Sequence, residues 1–560
     1  MNIVSRVREV LARIDQVDRP EVWISRVPDD QLLARAAELD AGPDLPLRGV
    51  LVAVKDNIDV AGLPTTAACP SYAYQPERDA TVVARLKQAG ALVIGKTNMD
   101  QFATGLVGTR SPYGAVRHAT RPDRISGGSS AGSAVAVALG LADIALGTDT
   151  AGSGRVPAAL HGIVGLKPTR GLLPATGVVP AARSYDCVSV FARDLTLAQR
   201  ALRVMSGPDG IDALARPWPD RFPLGPRANP IVGVASDLSP LSPAEQHAYR
   251  QAVQGLETVE VDIAPFLEAA RLLYEGALVA ERYDAVGEFI DQGHDDLDPT
   301  VAAIIGKARD LPAHRLAQDQ LRLAEYALHT TALRAGLDAL VLPTTVGHPT
   351  LAEVAADPVG TNSRMGTYTN FVNLLDLCAI AVPAGEANGS PFGVSVIAGA
   401  FGDQVAADIG ALITGEQLDG ELLAADSYLD VIVFGAHLRG QPLNPRLREL
   451  GGRFRHEVYT SADYRMVALD GAIPRPGLIP AAGNGKPQRG ERWSLSRGAL
   501  GVLLTEVLPP LSIGPVQLED GSSALGYLCD AQAADRTVDI TEHQGWVEYL
   551  STIPGSGVPG

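Results

Sequence analysis

Two serines in glycine-rich turns are the residues of this chain best placed to do chemistry. Ser129 lies in the turn SGGSSAG and Ser153 in the turn TAGSGR, 24 residues further on. Glycine tolerates backbone conformations that bring main-chain N–H groups close to a ligand, so each turn favours a binding loop around its serine. A serine hydroxyl becomes a strong nucleophile only when a neighbouring group accepts its proton. Either serine therefore needs a base within reach of its turn.

Lys55 is the candidate base. It follows an apolar run at residues 50–54 that predicts a buried strand, and Asp56 and Asn57 come directly after it. An ordinary lysine has a pKa of about 10.4, so keeping its amine neutral at pH 7 requires roughly 4.6 kcal/mol from the surroundings. Burial beside Val52 and Val54 would supply part of that free energy. On these residues alone, an ordinary surface lysine remains an alternative.

Two literal motif matches are rejected. Residues 90–97 read GALVIGKT and fit the phosphate-binding pattern GxxxxGK[ST], but the four residues between the glycines are apolar and predict a strand. Residues 128–132 read GSSAG and would make Ser130 the nucleophile of an elbow, yet the segment before them contains Pro122 and makes a poor core strand. The ten histidines form no HExxH or other tight cluster, so no metal site is predicted.

The composition indicates a soluble, acidic enzyme of more than one domain. The chain has 560 residues, of which 46% are hydrophobic and 20% charged, and that length exceeds one ordinary core. Its formal net charge of −17 argues against nucleic-acid binding and against adsorption to anionic membranes. The four cysteines form no CxxC pair, and neither a signal-peptide pattern nor a membrane-spanning run is evident. These features favour a cytoplasmic protein with reduced thiols.

Helical and strand patterns alternate along most of the chain, which predicts a large α/β domain. Near residue 415 short strands punctuated by glycine and proline begin, and they predict a second, mostly β domain with a few helices. The predicted helical regions are 3–40 (as two helices), 80–89 and 240–290, and the predicted buried strands are 50–54, 91–94, 338–344 and 379–385. We expect domains at 1–415 and 429–552, a linker at 416–428 and a flexible tail at 553–560.

Several separated motifs resemble the amidase signature family: Lys55, GKTNMDQFA, GGSSAGSA, GTDTAGSGRVPA and GLKPTRG. The resemblance covers roughly residues 1–415 and implies an α/β fold with a mixed sheet covered by helices. It also implies a catalytic triad in which Ser153 is the nucleophile, Ser129 the bridging serine, often in a cis peptide, and Lys55 the terminal base. Ser129 suits a relay because a hydroxyl both donates and accepts hydrogen bonds.

The same resemblance implies how the reaction's charge is stabilised. The oxyanion would face main-chain N–H groups of the second turn, from Thr150, Ala151, Gly152 and Ser153. Losing one such donor typically lowers the rate about 10²–10³-fold. No metal and no organic cofactor is implied.

Further segments, LLYEGALVAERY, AHLRGQPLN and DGSSALGYLC, resemble the allophanate hydrolase branch of the family, so the resemblance extends over nearly the whole chain. It implies a small anionic amide substrate, allophanate, with ammonia and N-carboxycarbamate as first products, and a homodimer. Tyr274 and Arg282 would hold the substrate carboxylate. Their eight-residue spacing predicts one side of one helix, and a guanidinium suits a planar, paired contact with a carboxylate.

The second domain resembles γ-glutamyl cyclotransferase folds, and the resemblance implies a smaller α+β domain that assists decarboxylation of N-carboxycarbamate. The histidine of that step would be His437. A structural histidine at a strand end is an equally good interpretation of VFGAHL, and His456 and His543 are weaker candidates.

Two other functions stay open on the sequence. One is an amidase for a different small amide, such as biuret or malonamate. The other is a non-catalytic component of an amidotransferase-like assembly, which the presence of all three triad residues disfavours.

Overall fold

The computed structural model describes residues 2–418 and 427–553, and the chain divides into two compact units. One comprises Met1–Pro217 and Pro230–Leu422, and the other Trp218–Asn229 and Leu423–Gly560. The second unit thus includes an early segment, Trp218–Asn229, that the sequence-based division assigns to the first domain. Residues 419–426 of the predicted linker and 554–560 of the predicted tail lie outside the described residues.

The first unit is built on one mixed sheet. Its described strands are β1 (Trp23–Arg26), β2 (Leu51–Lys55), β3 (Leu92–Thr97), β4 (Ile144–Asp149), β5 (Val164–Lys167), β6 (Cys187–Ala192), β7 (Ile231–Ala235), β8 (Glu257–Val261), β9 (Ala339–Pro343), β10 (Leu377–Ala387) and β11 (Ser390–Gly399). They are ordered β1-β3-β2-β4-β6-β5-β10-β11-β9-β7-β8. Strand β2 runs parallel to β3 and β4, whereas β4 and β6 are antiparallel.

Helices cover both faces of this sheet. The helices of the unit are α1 (Ile3–Val17), α2 (Asp29–Ala41), α3 (Thr81–Gln88), α4 (Ala131–Ala138), α5 (Arg155–His161), α6 (Leu195–Met205), α7 (Pro243–Ala252), α8 (Ala264–Arg271), α9 (Ala280–Gln292), α10 (Pro299–Gly306), α11 (Ala313–Leu333), α12 (Leu351–Ala356), α13 (Gly360–Met365), α14 (Asn370–Leu374) and α15 (Asp403–Thr414). Alternate residues of β2 show why its sequence is apolar throughout. Val52 and Val54 pack in one buried cluster with α3 and α6, and Leu51 and Ala53 in another with α1, α2 and α4.

These elements confirm the predicted mixed sheet covered by helices, with one local correction. The region 240–290 contains α7, α8 and most of α9, but it also contains strand β8. That strand lies at the edge of the sheet and pairs with β7, and four of its five residues are exposed. An exposed edge strand needs no apolar run, which is why its ETVEV sequence did not predict it.

The second unit is rich in sheet, as predicted. Its elements are β12 (Tyr428–Val433), α16 (Asn444–Glu449), β13 (Arg453–Tyr459), β14 (Tyr464–Leu469), β15 (Arg475–Pro480), β16 (Arg489–Ser496), α17 (Arg497–Thr505), β17 (Leu511–Gln517), β18 (Ser523–Cys529), β19 (Val538–Asp539) and α18 (Trp546–Leu550). The strands form a five-stranded sheet, β13-β16-β12-β18-β17, and a three-stranded sheet, β15-β14-β19, within the described residues. Trp493 and Leu495 of β16 are completely buried in the core of the unit.

Two further properties concern the described part of the chain as a whole. None of its helices is both long and apolar enough to cross a bilayer. In the same residues, no group of three or more His, Cys, Asp and Glu side chains is arranged to hold a metal ion.

Candidate active site

Lys55 is the last residue of β2, inside the sheet. Parallel pairing of β2 with β3 and β4 brings the carboxyl ends of the three strands to one edge, and there the Lys55 side chain is completely buried. Its Nζ donates to Ser129 Oγ at 2.7 Å and to Thr148 Oγ1 at 2.7 Å. Thr148 belongs to β4, so the pairing of two strands brings this second hydroxyl to the amine.

Burial lowers the pKa of Lys55 from 10.5 to about 7, because a charged amine in apolar surroundings loses its hydration. The carboxylates of Asp100, Asp149 and Asp186 oppose this shift, and the Arg282 guanidinium adds to it. A large fraction of Lys55 is therefore neutral near pH 7. A neutral amine is the form that accepts a proton.

Ser129 lies just before α4 and follows Gly128 through a cis peptide bond. Its carbonyl oxygen accepts a hydrogen bond from the Asp100 N–H at 3.0 Å. The Asp100 carboxylate in turn accepts from the N–H groups of Val107 and Gly108 at 3.2 and 3.0 Å. A Cβ at Gly128 would lie 2.1 Å from Asp100 Oδ2, so only glycine fits between this carboxylate and Ser129.

Ser153 lies in the turn between β4 and α5 and is 4% exposed. The Asp149 carboxylate accepts from the N–H groups of Gly152 and Gly154, on either side of the serine, at 2.8 and 3.0 Å. It also pairs with Arg155 at 2.8 Å, and both side chains are fully buried. Burial alone would raise the pKa of Asp149, but the Arg155 charge outweighs it and the pKa is lowered. An ion pair thus fixes the turn that carries Ser153.

The N–H groups of this turn divide into two kinds. Within the described residues, those of Thr150, Ala151 and Ser153 have no hydrogen-bond acceptor, which is the condition for an oxyanion hole. The N–H of Gly152 differs, because it already donates to Asp149 Oδ1. The prediction that Gly152 contributes an oxyanion donor is therefore corrected, because its N–H is used in the hydrogen bond to Asp149 that holds the turn. Its φ of +127° is a conformation that favours glycine.

The predicted proton relay is half formed. Ser129 Oγ is hydrogen-bonded to Lys55 Nζ, whereas Ser153 Oγ makes no hydrogen bond to any described residue. The step between Ser129 and Ser153 stays a prediction.

Tyr274 and Arg282 meet as predicted, but not on one helix. Tyr274 follows the end of α8, a 3₁₀ turn at Ala277–Val279 comes next, and Arg282 lies in the first turn of α9. The prediction of a shared helical face is wrong, because a bend between two helices brings the side chains together. Arg282 Nη2 donates to Tyr274 Oη at 3.2 Å, and Nη1 donates to Thr104 Oγ1 at 3.0 Å.

The guanidinium of Arg282 is buried without a counter-ion. The residue is 1% exposed, its Nε has no hydrogen-bond partner, and no described carboxylate forms an ion pair with it. Its charge contributes to the lowered pKa of Lys55, so the guanidinium and the Lys55 amine belong to the same site. A buried cation without an ion-pair partner is costly for the fold.

His437 lies in the second unit, after β12, and lines a cavity of about 170 Å³. Its ring stacks on Tyr527 with the ring centroids 5.3 Å apart. Burial lowers the pKa of His437 to about 4, and the Arg475 charge adds to that effect. The imidazole is therefore neutral at pH 7. His456, in contrast, is exposed on β13, and the catalytic role of His437 stays a prediction.

The rejected motifs occupy structural positions. Residues 92–97 form β3, and Lys96, the lysine of the phosphate-loop match, makes a fully buried ion pair with Asp56 at 3.3 Å. Ser130 Oγ donates to the Thr148 carbonyl at 3.1 Å. Both side chains help to hold β2, β3 and β4 together around the site.

Sequence reasoning missed the residues that surround Lys55, Ser129 and Ser153. The pairing of Asp149 with Arg155 could have been predicted, because an acidic and a basic residue flank the TAGSG turn in the sequence. No sequence pattern indicated Thr148, Asp100 or Asp186, because they reach the site through strand pairing or long loops. Asp186, for example, accepts hydrogen bonds from the Ala181 N–H and from the Thr150 hydroxyl.

A mixed sheet whose parallel strands end near a buried lysine with a pKa of about 7, two serines and a set of free N–H groups is the arrangement expected of an amidohydrolase. The chain belongs to the Amidase family, whose model matches residues 5–406. Residues 429–551 match the allophanate hydrolase C-terminal domain. The chain is therefore an amidase-family hydrolase of the two-domain form.

Solved and curated relatives agree with this assignment. Kluyveromyces lactis allophanate hydrolase superposes with a TM-score of 0.86 at 39% identity, over 98% of this chain and 97% of that one. The urea amidolyase of Saccharomyces cerevisiae is 41% identical over 95% of this chain, which spans about a third of its length (31%). A glutamyl-tRNA(Gln) amidotransferase subunit from Symbiobacterium thermophilum is 35% identical over 72% of this chain and 91% of its own.

Proposed function

We propose that this chain is an allophanate hydrolase, which converts allophanate and water to ammonia and N-carboxycarbamate. The observation that carries the proposal is Arg282, a buried guanidinium without a counter-ion in the described residues, close to Lys55. Leaving a buried charge uncompensated is strongly destabilising, and the carboxylate of a small substrate would compensate it. The similarity to Kluyveromyces lactis allophanate hydrolase over 98% of this chain also supports the proposal.

The first chemical step is attack by Ser153 on the terminal amide carbonyl. Ser129 passes the proton of the Ser153 hydroxyl to neutral Lys55 while the bond from Ser153 Oγ to the carbonyl carbon forms. The N–H groups of Thr150, Ala151 and Ser153 stabilise the negative charge on the carbonyl oxygen. The ion pair of Asp149 with Arg155 keeps those donors in place before the charge develops.

The second step expels ammonia. The proton on Lys55 returns through Ser129 to the leaving nitrogen, the C–N bond breaks, and an ester with Ser153 remains. Water then attacks this ester along the same proton route and releases N-carboxycarbamate. Arg282 and Tyr274 hold the substrate carboxylate throughout, so that the amide faces Ser153 rather than Lys55.

The second unit continues the reaction in this proposal. N-carboxycarbamate loses CO₂ there to give carbamate, with His437 as the catalytic residue, and carbamate then decomposes to CO₂ and ammonia. We further propose that the reaction belongs to urea breakdown, which the name of the yeast urea amidolyase supports, and that the enzyme acts as a homodimer. Light scattering of the purified chain tests the dimer.

Comparing kcat/KM for allophanate, malonamate and biuret tests the substrate. Malonamate keeps the carboxylate and biuret lacks it. We expect biuret to be about 10- to 100-fold poorer than allophanate, because a hydrogen-bonded charge contributes about 1.5–3 kcal/mol. Equal turnover of biuret and allophanate would contradict the role of Arg282.

Membership of an amidotransferase-like assembly is the second candidate, favoured by the similarity to the glutamyl-tRNA(Gln) amidotransferase of Symbiobacterium thermophilum. That similarity covers 72% of this chain, whereas the match to allophanate hydrolase covers 98%. Ammonia release by the purified chain alone distinguishes the two functions. A chain that hydrolyses no amide without a partner would favour the assembly.

A further inference from the structure

The cavity of the second unit contains an arginine that the proposed chemistry does not use. Arg475, the first residue of β15, lines this cavity of about 170 Å³ beside His437 and Tyr527. Its side chain makes no hydrogen bond and no ion pair with the described residues. Its positive charge is close enough to His437 to contribute to the lowered pKa of that ring.

Three consecutive main-chain donors line the same cavity. The N–H groups of Gly435, Ala436 and His437 have no acceptor within the described part of the chain. The carbonyl groups of the same residues are all occupied, by Leu438 N at 2.8 Å, Leu443 N at 2.8 Å and Asn444 Nδ2 at 2.8 Å respectively. The loop is thus fixed through its carbonyls while its N–H groups stay available, an arrangement that binds anions.

The other two charged groups at the cavity, Glu506 and Arg446, form an ion pair with each other. Glu506, which follows α17, accepts hydrogen bonds from Arg446 of α16: the Nε N–H is shared between its two oxygens at 3.1 Å, and Nη2 donates at 2.5 Å. Tyr527 of β18 is neutral, because burial raises its pKa. The Glu506 charge opposes that of Arg475 at His437. Among the charged groups that line the cavity, Arg475 is the one that forms no ion pair with the described residues.

We propose that this cavity is a receptor for a small dicarboxylate anion, in which Arg475 and the N–H groups of Gly435, Ala436 and His437 bind the carboxylates and His437 gives a proton to the bound molecule. The identity of the natural ligand, N-carboxycarbamate, rests on the proposed function. The inference that the cavity binds a dicarboxylate rests on the residues that line it. An anion beside the ring favours the imidazolium, so ligand binding and proton uptake by His437 are coupled.

The coupled proton completes the decarboxylation. In bound N-carboxycarbamate the bond between nitrogen and one carboxylate carbon breaks, and its electron pair passes to nitrogen. Nitrogen takes the proton from the His437 imidazolium, CO₂ leaves, and carbamate remains. His437 takes up its next proton from solvent when another dianion binds. The step requires no oxidant, reductant or further reactant.

Malonate, a stable dicarboxylate, tests the receptor in the full chain. The parent protein carries Arg282→Gln, so that malonate does not bind in the first unit. Titration calorimetry in two buffers of different ionisation enthalpy measures the affinity and the proton uptake, and ¹³C-labelled histidine, assigned with His437→Asn, reports the ring. We expect malonate to bind with proton uptake and to shift the His437 resonance towards the imidazolium position.

Added substitutions identify the binding group. Arg475→Gln should weaken malonate binding at least about tenfold, as loss of a charged hydrogen bond does. Arg465→Gln is the matched control, because this exposed arginine of β14 is paired with Asp539 and lies outside the cavity, and it should change the affinity less than twofold. Arg475→Lys keeps the charge and should give an intermediate affinity, which guards against misfolding of the glutamine variant.

The proposal that the cavity binds a dicarboxylate would be overturned by unchanged malonate affinity in both Arg475 variants. A His437 resonance that malonate does not shift would overturn it too. The decarboxylation is judged separately, from the decay of ¹³C-labelled N-carboxycarbamate. If malonate binds through Arg475 but the full chain does not speed that decay, the proposed function of the second unit fails and the receptor stands.

Discussion

Lys55 Nζ lies at the same distance, 2.7 Å, from Thr148 Oγ1 as from Ser129 Oγ. A neutral amine has two N–H donors and one lone pair, and its proton-accepting direction depends on where the donors point. Donation to Thr148 fixes one of them. The other N–H can turn to the Thr148 carbonyl oxygen, 3.4 Å from Nζ. In the neutral amine the lone pair then replaces the N–H that the charged amine donates to Ser129 Oγ, so it can accept the Ser129 proton.

Thr148→Val should therefore lower kcat about fivefold and leave KM nearly unchanged, since one hydrogen bond of about 1 kcal/mol that orients the base is lost. Thr148→Ser restores the hydroxyl and should recover most of the rate. Steady-state kinetics of both variants measure the difference. Equal losses in the serine and valine variants would show that packing at this position, rather than the hydroxyl, matters.

The pH dependence of kcat/KM should follow Lys55. Because the base must be neutral and its pKa is about 7, activity should rise with pH through about 7 and level off above it. Asp100 helps to keep Lys55 charged, so Asp100→Asn should move this rise to lower pH. Asp44→Asn, at an exposed site, is the control. An Asp100→Asn variant that is slower at every pH, without a displaced profile, would limit Asp100 to a structural role.

Lys55→Met should abolish hydrolysis but increase stability at neutral pH. A lysine whose pKa falls from 10.5 to about 7 on folding destabilises the native state by up to about 5 kcal/mol below pH 7. That penalty disappears as pH rises from 7 to 10.5, where the unfolded lysine also loses its proton. Denaturant unfolding should thus show the largest gain for Lys55→Met at pH 7 and a smaller one at pH 10. A gain that is independent of pH would contradict the lowered pKa.

Arg282→Lys should lower kcat/KM for allophanate about 100-fold, because an ammonium group cannot make the planar, paired contact of a guanidinium with a carboxylate. The loss should be much smaller for biuret, which has no carboxylate. Arg271→Lys, on the exposed side of α8, should change neither value more than twofold. An equal loss on both substrates would instead indicate that Arg282 supports the fold of the site.

The sequence predicted the elements of the site better than its geometry. Lys55 follows a run of apolar residues because both faces of β2 are buried, and this pattern is readable without a structure. The role of Thr148 is not, since it depends on the parallel pairing of β2 with β4. Tyr274 and Arg282 show the same limit: their spacing suggested contact, but the contact arises from a bend between α8 and α9.

Charge compensation was the least predictable feature. Arg155 is paired with Asp149, an acid on the other side of its turn, whereas Arg282 directly follows Glu281 in the sequence and yet has no described carboxylate partner. The difference depends on which carboxylates long-range folding brings within reach. For the same reason Gly152 was predicted as an oxyanion donor, although its N–H is already bonded to Asp149.

The central claim is that Ser153, activated by Lys55 through Ser129, attacks the amide. Ammonia release from allophanate by Ser153→Ala tests it most directly, with Ser130→Ala, the neighbouring serine of the rejected elbow motif, as the control. We predict a loss of at least about 10³-fold for Ser153→Ala, as for other nucleophile deletions, and a rate within about tenfold of the unmodified enzyme for Ser130→Ala. Substantial ammonia release by Ser153→Ala, or its loss in Ser130→Ala alone, would contradict the mechanism.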